Sequence, residues 1–196
     1  MEKLDGNTYI PIVVCSEDLK VIGGTLKTIL EAVYQLNKVP AYFHVDSTGL
    51  LMARNAGQQL LQRYYGNDVL RGFYLDSDII YNRSAEDLIR MMKKADEENC
   101  SFILPYKDKR GYWNVFKDGN RVTDIEAFKD DFIGAAGLGF YYGDIFPSYR
   151  FSMTYDKEND VTWGEDLNFF KFLASKQVSV KCESITVGHL KGVQIW

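Results

Sequence analysis

The sequence predicts an α/β protein, built on a central, mixed but mostly parallel sheet flanked by helices. Two observations carry this expectation. Through the first half, short β-rich apolar runs alternate with helically periodic segments, at a spacing that suits parallel strands joined by crossover helices. With 196 residues, 46% of them hydrophobic and 14% aromatic, the chain can also build one sizeable core, and a single domain over residues 1–196 is expected.

Taken in order, Tyr9 to Cys15 reads as the first strand, and Leu26, Ile29, Leu30, Val33 and Leu36 keep helical spacing after it. Ala41 to Val45 is the second strand, Gly49 to Tyr64 the second helix and Val69 to Leu75 the third strand. The third helix spans Ser84 to Glu97, with Leu88, Ile89, Met92 and Ala95 inward. Ser84 and Asp87 suit a capping box at its start, with Asp in place of the usual Glu or Gln. Ser101 to Pro105 is a fourth strand and closes a half, residues 1–105, organised like a nucleotide-binding fold.

Residues 106–196 are less regular. Gly111 to Thr123 reads as a hairpin turning at Asp118-Gly119 or Gly119-Asn120, and residues 134 to 140 are glycine-rich. Trp163 to Ala174 returns to helix. Two short strands, Val178 to Cys182 and Ser184 to Val187, then lead to His189.

Composition excludes several function classes. The net charge is -4, with Lys and Arg scattered, which argues against a nucleic-acid partner. No window approaches the roughly 18 uninterrupted apolar residues that a spanning helix needs, and the first residues do not read as a secretory signal. Cys15, Cys100 and Cys182 are odd in number and sit in or beside apolar runs, which suits buried thiols in the cytoplasm.

In such a fold the ligand lies beyond the carboxyl ends of the strands. Ser16 and Glu17 fall at the end of the first strand, Asp46 at the end of the second, and Asp76 and Asp78 at the end of the third. In FYLDSDII, residues 73–80, two acids at i and i+2 would point the same way if the chain stayed extended there. Two readings follow: solvated acids closing a strand, or a carboxylate pair for a hard divalent cation such as Mn²⁺ or Mg²⁺ whose shell a diphosphate would complete.

YLDSD resembles the DxD motif of the GT-A glycosyltransferases, a Rossmann-like family that moves a sugar from a nucleoside diphosphate to an acceptor. Further landmarks resemble the family in order along nearly the whole chain. MARNAG, residues 52–57, is similar to the ARN element that precedes the DxD; GAAGLGF, 134–140, to the glycine-rich loop before the second active-site strand; WGEDLNFFKFL, 163–173, to the helix behind the acceptor site; and VGHLKG, 187–192, to the terminal segment that carries a histidine.

The resemblance implies roles. Asp78 and His189 would bind the metal, with Asp76 binding it through water or holding the ribose. Arg54 would face the diphosphate or the base pocket, and Lys191 the diphosphate. Val14 to Ser16 and Asp46 would lie along the base and ribose. Asp166, with Glu165 beside it, would take the proton from the acceptor hydroxyl, while Gly137, Trp163 and Trp113 would line the donor sugar or the acceptor. The implied donor is a UDP-sugar, the cofactor Mn²⁺ or Mg²⁺, and the acceptor a glycan or glycoprotein. In size the chain is similar to small bacterial or viral members, which would act in the cytoplasm, or a host's. The version YLDSDII resembles retaining members, whereas ARN and WGED resemble inverting ones, so both stereochemical outcomes stay open. The segment before the DxD is also short, so a nucleotide-contacting element of the family is abbreviated. A sugar-1-phosphate nucleotidyltransferase, a glycoside hydrolase and a non-catalytic sugar-binding module remain as alternatives.

Overall fold

A computed structural model describes residues 3–16, 23–108, 110–117, 120–123, 138–158, 160–183 and 185–189. Glu17, the hairpin turn at Asp118 and Gly119, residues 134–137 of the glycine-rich loop (Gly137 among them), Ser184 and Lys191 lie outside the described residues.

The first half alternates as expected: β1 (Tyr9–Ser16), α1 (Gly23–Gln35), β2 (Val39–Asp46), α2 (Leu50–Tyr65), β3 (Leu70–Asp76), a two-residue strand β4 (Ile79–Ile80), α3 (Ala85–Glu97) and β5 (Cys100–Leu104). The second half contributes β6 (Phe116–Lys117) and β7 (Asn120–Arg121), β8 (Phe140–Ile145), β9 (Thr154–Asp156) and β10 (Val161–Trp163), α4 (Glu165–Ser175), β11 (Ser179–Cys182) and β12 (Gly188–His189).

Six strands form one sheet in the order β11-β5-β8-β3-β1-β2. β1 runs parallel to β2 and β3, and β11 parallel to β5, while β8 is antiparallel to both neighbours. The two halves of the sequence therefore share a sheet, because β8 inserts between β3 and β5. The sheet is mixed but mostly parallel, in a single α/β domain consistent with a Rossmann-like fold.

Strand alternation sorts the core into two layers. Ile10, Ile12 and Val14 of β1, Phe73 and Leu75 of β3 and Phe140 and Tyr142 of β8 pack with Ile29 and Val33 of α1 and Leu88 and Met92 of α3. Val13 and Cys15, Tyr74, and Tyr141 and Ile145 face the other way, with Ala53 and Leu61 of α2 and Phe169 and Leu173 of α4. Strands buried on both faces read as continuous apolar runs, as YIPIVVCS and CSFIL do. Gly143 has its own cause: a Cβ there would fall 2.0 Å from Ser101 Oγ, the hydroxyl that bonds Tyr141 and the Asp144 amide.

Ser84 caps α3 in the predicted capping box with Asp87. The predicted strand over 184–187 is displaced: the pairing lies one step later, at β12, where His189 stands opposite Ile79. Val187 is instead held by its amide on Pro105 O, at 3.0 Å. The β9–β10 hairpin has no expectation behind it; each of its strands is only three residues long. Among the described residues no helix is long and apolar enough to cross a membrane.

Candidate active site

The acids of FYLDSDII do not act as one extended pair. β3 ends at Asp76, and Ser77 and Asp78 form a turn into β4, so the two-residue alternation that would align them stops between them. Asp76 points to the α2–α4 face and Asp78 to β12.

On that first face Arg54 bridges two motifs. Its side chain is wholly buried, with Nη2 donating to Asp76 Oδ1 and Nη1 to Glu165 Oε1, both at 2.9 Å. Its guanidinium also lies 5.8 Å from the Phe151 ring centroid. Burial alone would favour losing the proton, but the Asp76 and Glu165 carboxylates outweigh it and hold the Arg54 pKa above its ordinary value. Arg54 is therefore engaged inside the protein and does not face an open diphosphate site. The helical spacing that puts Ala53, Arg54, Gly57 and Gln58 on the buried face of α2 places it there.

Glu165 and Asp166 open α4, where acids in a first turn are favoured by the helix dipole. Asp166 Oδ1 accepts from the Leu167 amide at 2.7 Å. Gly164 permits this fold-back, since a Cβ at 164 would lie 2.6 Å from that oxygen. With Glu165 tied to Arg54, the start of α4 is fixed against the end of β3.

Asp78 meets His189. The β12–β4 pairing sets His189 opposite Ile79, and Nε2 comes to 3.5 Å from Asp78 Oδ1. α1 supports this corner. Thr25 Oγ1 donates to Ile79 O at 2.7 Å and accepts from the Tyr81 amide at 2.9 Å, so both residues flanking β4's end are clamped.

Asp78 offers a carboxylate, the donor that Mn²⁺ and Mg²⁺ prefer, and His189 an imidazole, a softer donor that Mg²⁺ does not favour, so of the two the pair fits Mn²⁺ better. Among the described residues no group of three or more His, Cys, Asp or Glu side chains is arranged to hold a metal. Asp76 is paired with Arg54.

A third polar group closes the other side of the edge. Ser16 Oγ lies 2.9 Å from His44 Nε2 and donates to Asp46 Oδ1 at 3.2 Å. The register pairs Ser16 with Asp46 and Val14 with His44, so these side chains share the α1–α3 face, opposite to Asp76, which pairs with Cys15. Val14 itself is a core residue, 1% exposed.

Two residues of the site escaped the sequence reading. His44 was legible, since it stands two residues before Asp46 on one strand face. Tyr106, just past β5, was not: its ring stacks on the His189 imidazole, centroids 4.4 Å apart and planes 7° apart. Burial pushes its phenol pKa up, and the Asp76, Asp166 and Asp78 carboxylates push it further, with Arg54 opposing. No local pattern announces a contact between residues 83 positions apart, 106 and 189.

The remaining expected site residues are spread. Trp163 ends β10, paired with Thr154 and one residue before Gly164. Trp113 is half-buried, bridged to Lys107, whose Nζ lies 4.8 Å from its ring centroid. No protein-family model matches the chain, and no curated protein matches it.

Proposed function

We propose that the protein is a metal-dependent glycosyltransferase of the GT-A type, transferring a hexose from a nucleoside diphosphate sugar to a glycan or protein-linked acceptor. The observation that carries the reading is convergence. The acids of the DxD-like and WGED-like elements, 89 positions apart at Asp76 and Glu165, meet on one arginine at the carboxyl edge of the sheet, with the Asp78–His189 pair beside them. A solvated strand end would need none of this.

In this reading Asp78 and His189 would hold a divalent ion, which would supply Lewis-acid stabilisation to the diphosphate leaving as the sugar's C1–O bond breaks. Arg54 acts indirectly, pinning Asp76 and Glu165, which are near neighbours in sequence of Asp78 and Asp166. Asp166 takes the acceptor's proton, a contribution typically of ~10²–10⁴ in rate. Ser16, His44 and Asp46 contact the nucleoside, and Lys191 the diphosphate. A UDP-sugar is the proposed donor, and the three buried free cysteines suit a reducing cytoplasm.

Calorimetric titration with UDP, GDP and CMP, each with and without Mn²⁺, tests the reading. Binding of one nucleotide only with metal present is the expected result and names the donor. No metal-dependent binding of any of them returns the site to strand-end acids and favours a hydrolase or binding module. Asp166→Asn should abolish transfer while leaving nucleotide binding within about twofold; an active variant removes Asp166 as the base.

A further inference from the structure

Tyr106 is held at the mouth of the site from several directions. Its amide donates to Asn114 Oδ1 at 2.9 Å and its carbonyl accepts from the Asn114 amide at 3.0 Å, with Asn114 itself buried. The neighbouring carbonyl, Pro105 O, holds Val187, two residues before His189. Gly139 makes room for the ring: it has φ +47°, and a Cβ there would fall 2.9 Å from Tyr106 Cε1. A side chain at 139 would push the ring off its place. The ring so fixed lies parallel to the imidazole at 4.4 Å. Among the described residues, His189 belongs to a two-residue strand, β12, that pairs with β4.

We propose that Tyr106 is the positioning residue for His189: its ring sets the imidazole plane so that Nε2 faces Asp78, preforming the two-donor corner that takes a divalent cation. This rests on the metal-dependent reading above. Groups that orient a metal ligand without touching the metal typically change affinity by about 10- to 100-fold when removed. The ring, not the hydroxyl, carries the role.

Mn²⁺ binding, followed by the loss of the free-ion electron paramagnetic resonance signal in the presence of UDP, provides the test. Tyr106→Phe should bind Mn²⁺ within about twofold of the parent, and Tyr106→Leu about tenfold or more weakly. In a His189→Gln background, Tyr106→Leu should cost nothing further. The histidine ring protons give a readout that needs no metal: the upfield shift that stacking imposes on His189 should persist in Tyr106→Phe and vanish in Tyr106→Leu. Tyr106→Met, flexible and without a ring, makes the same comparison if the leucine variant does not fold.

Equal Mn²⁺ affinity in parent and Tyr106→Leu, or equal weakening by Phe and Leu, overturns the proposal and leaves the metal site standing. A parent protein that takes up no Mn²⁺ overturns both; a stacked His189 in its spectrum would then mark the contact as packing.

Discussion

Arg54 shows how a residue's role follows from what it touches. A solvent-exposed arginine in an ion pair can be replaced at modest cost, but this guanidinium lies between two carboxylates with its side chain wholly buried. Removing a buried charge strands its partners, which typically costs 3–5 kcal/mol, roughly. Arg54→Met should therefore lower the stability of the fold by about that amount in urea denaturation, far more than a solvated arginine would. A loss under about 1 kcal/mol would show that Asp76 and Glu165 find other partners. The residue type was legible in ARN, its direction was not: sequence spacing places Arg54 on a helix face but does not say which carboxylates the fold brings to that face. Asp76 and Asp78 make the same point, since their shared direction depended on the strand continuing for two more residues.

At the scale of elements, the regular first half was readable because periodicity and caps are local. The apolar spacing of α1 and α3 and the Ser84–Asp87 box lie within one or two turns of chain. β4 and β12 were not readable, because each is two residues long and exists only through its partner. What stabilises that corner is instead a helix side chain, Thr25, whose hydroxyl is shared between Ile79 O and the Tyr81 amide. Thr25→Val keeps the shape and removes the hydroxyl, leaving a buried carbonyl and amide unsatisfied. The expected cost is about 1–3 kcal/mol, and hydrogen exchange at the Tyr81 amide should quicken by a corresponding factor of roughly 5 to 150. Unchanged protection at Tyr81 would mean that β4 is held by its pairing with β12 alone.

For the whole molecule, the sheet order explains both the site and the chemistry that the interior forbids. β1, β2 and β3 end at one edge, and antiparallel β8 begins there, so loops from both halves meet while the thiols and the phenols of Tyr65, Tyr74, Tyr81, Tyr141 and Tyr142 stay between the layers. Burial pushes the Cys15 thiol up to about 12, with Arg54 opposing and the Asp76 carboxylate adding to the rise. Burial also raises Cys100, and it pushes the phenols of Tyr74 and Tyr141 well up. The sign follows from proton counting. Below pH 9 both folded and unfolded chains keep the Cys15 proton, and its contribution is flat; above that, the unfolded chain releases a proton that the fold retains, so stability falls. Cys15 alone should lower the unfolding free energy by about 1.4 kcal/mol per pH unit between pH 9 and 12, and the buried phenols should steepen the fall above pH 10. Urea midpoints at pH 8, 9, 10 and 11 would display this. At pH 8 the native protein should leave all three cysteines slow to react with a thiol reagent, because the thiolate is the reactive form and none of the three side chains is open to solvent. Flat urea midpoints to pH 11, with rapid labelling at pH 8, would mean that the layers open often enough to expose β1, and the close fit of α2 on that strand would have to be abandoned.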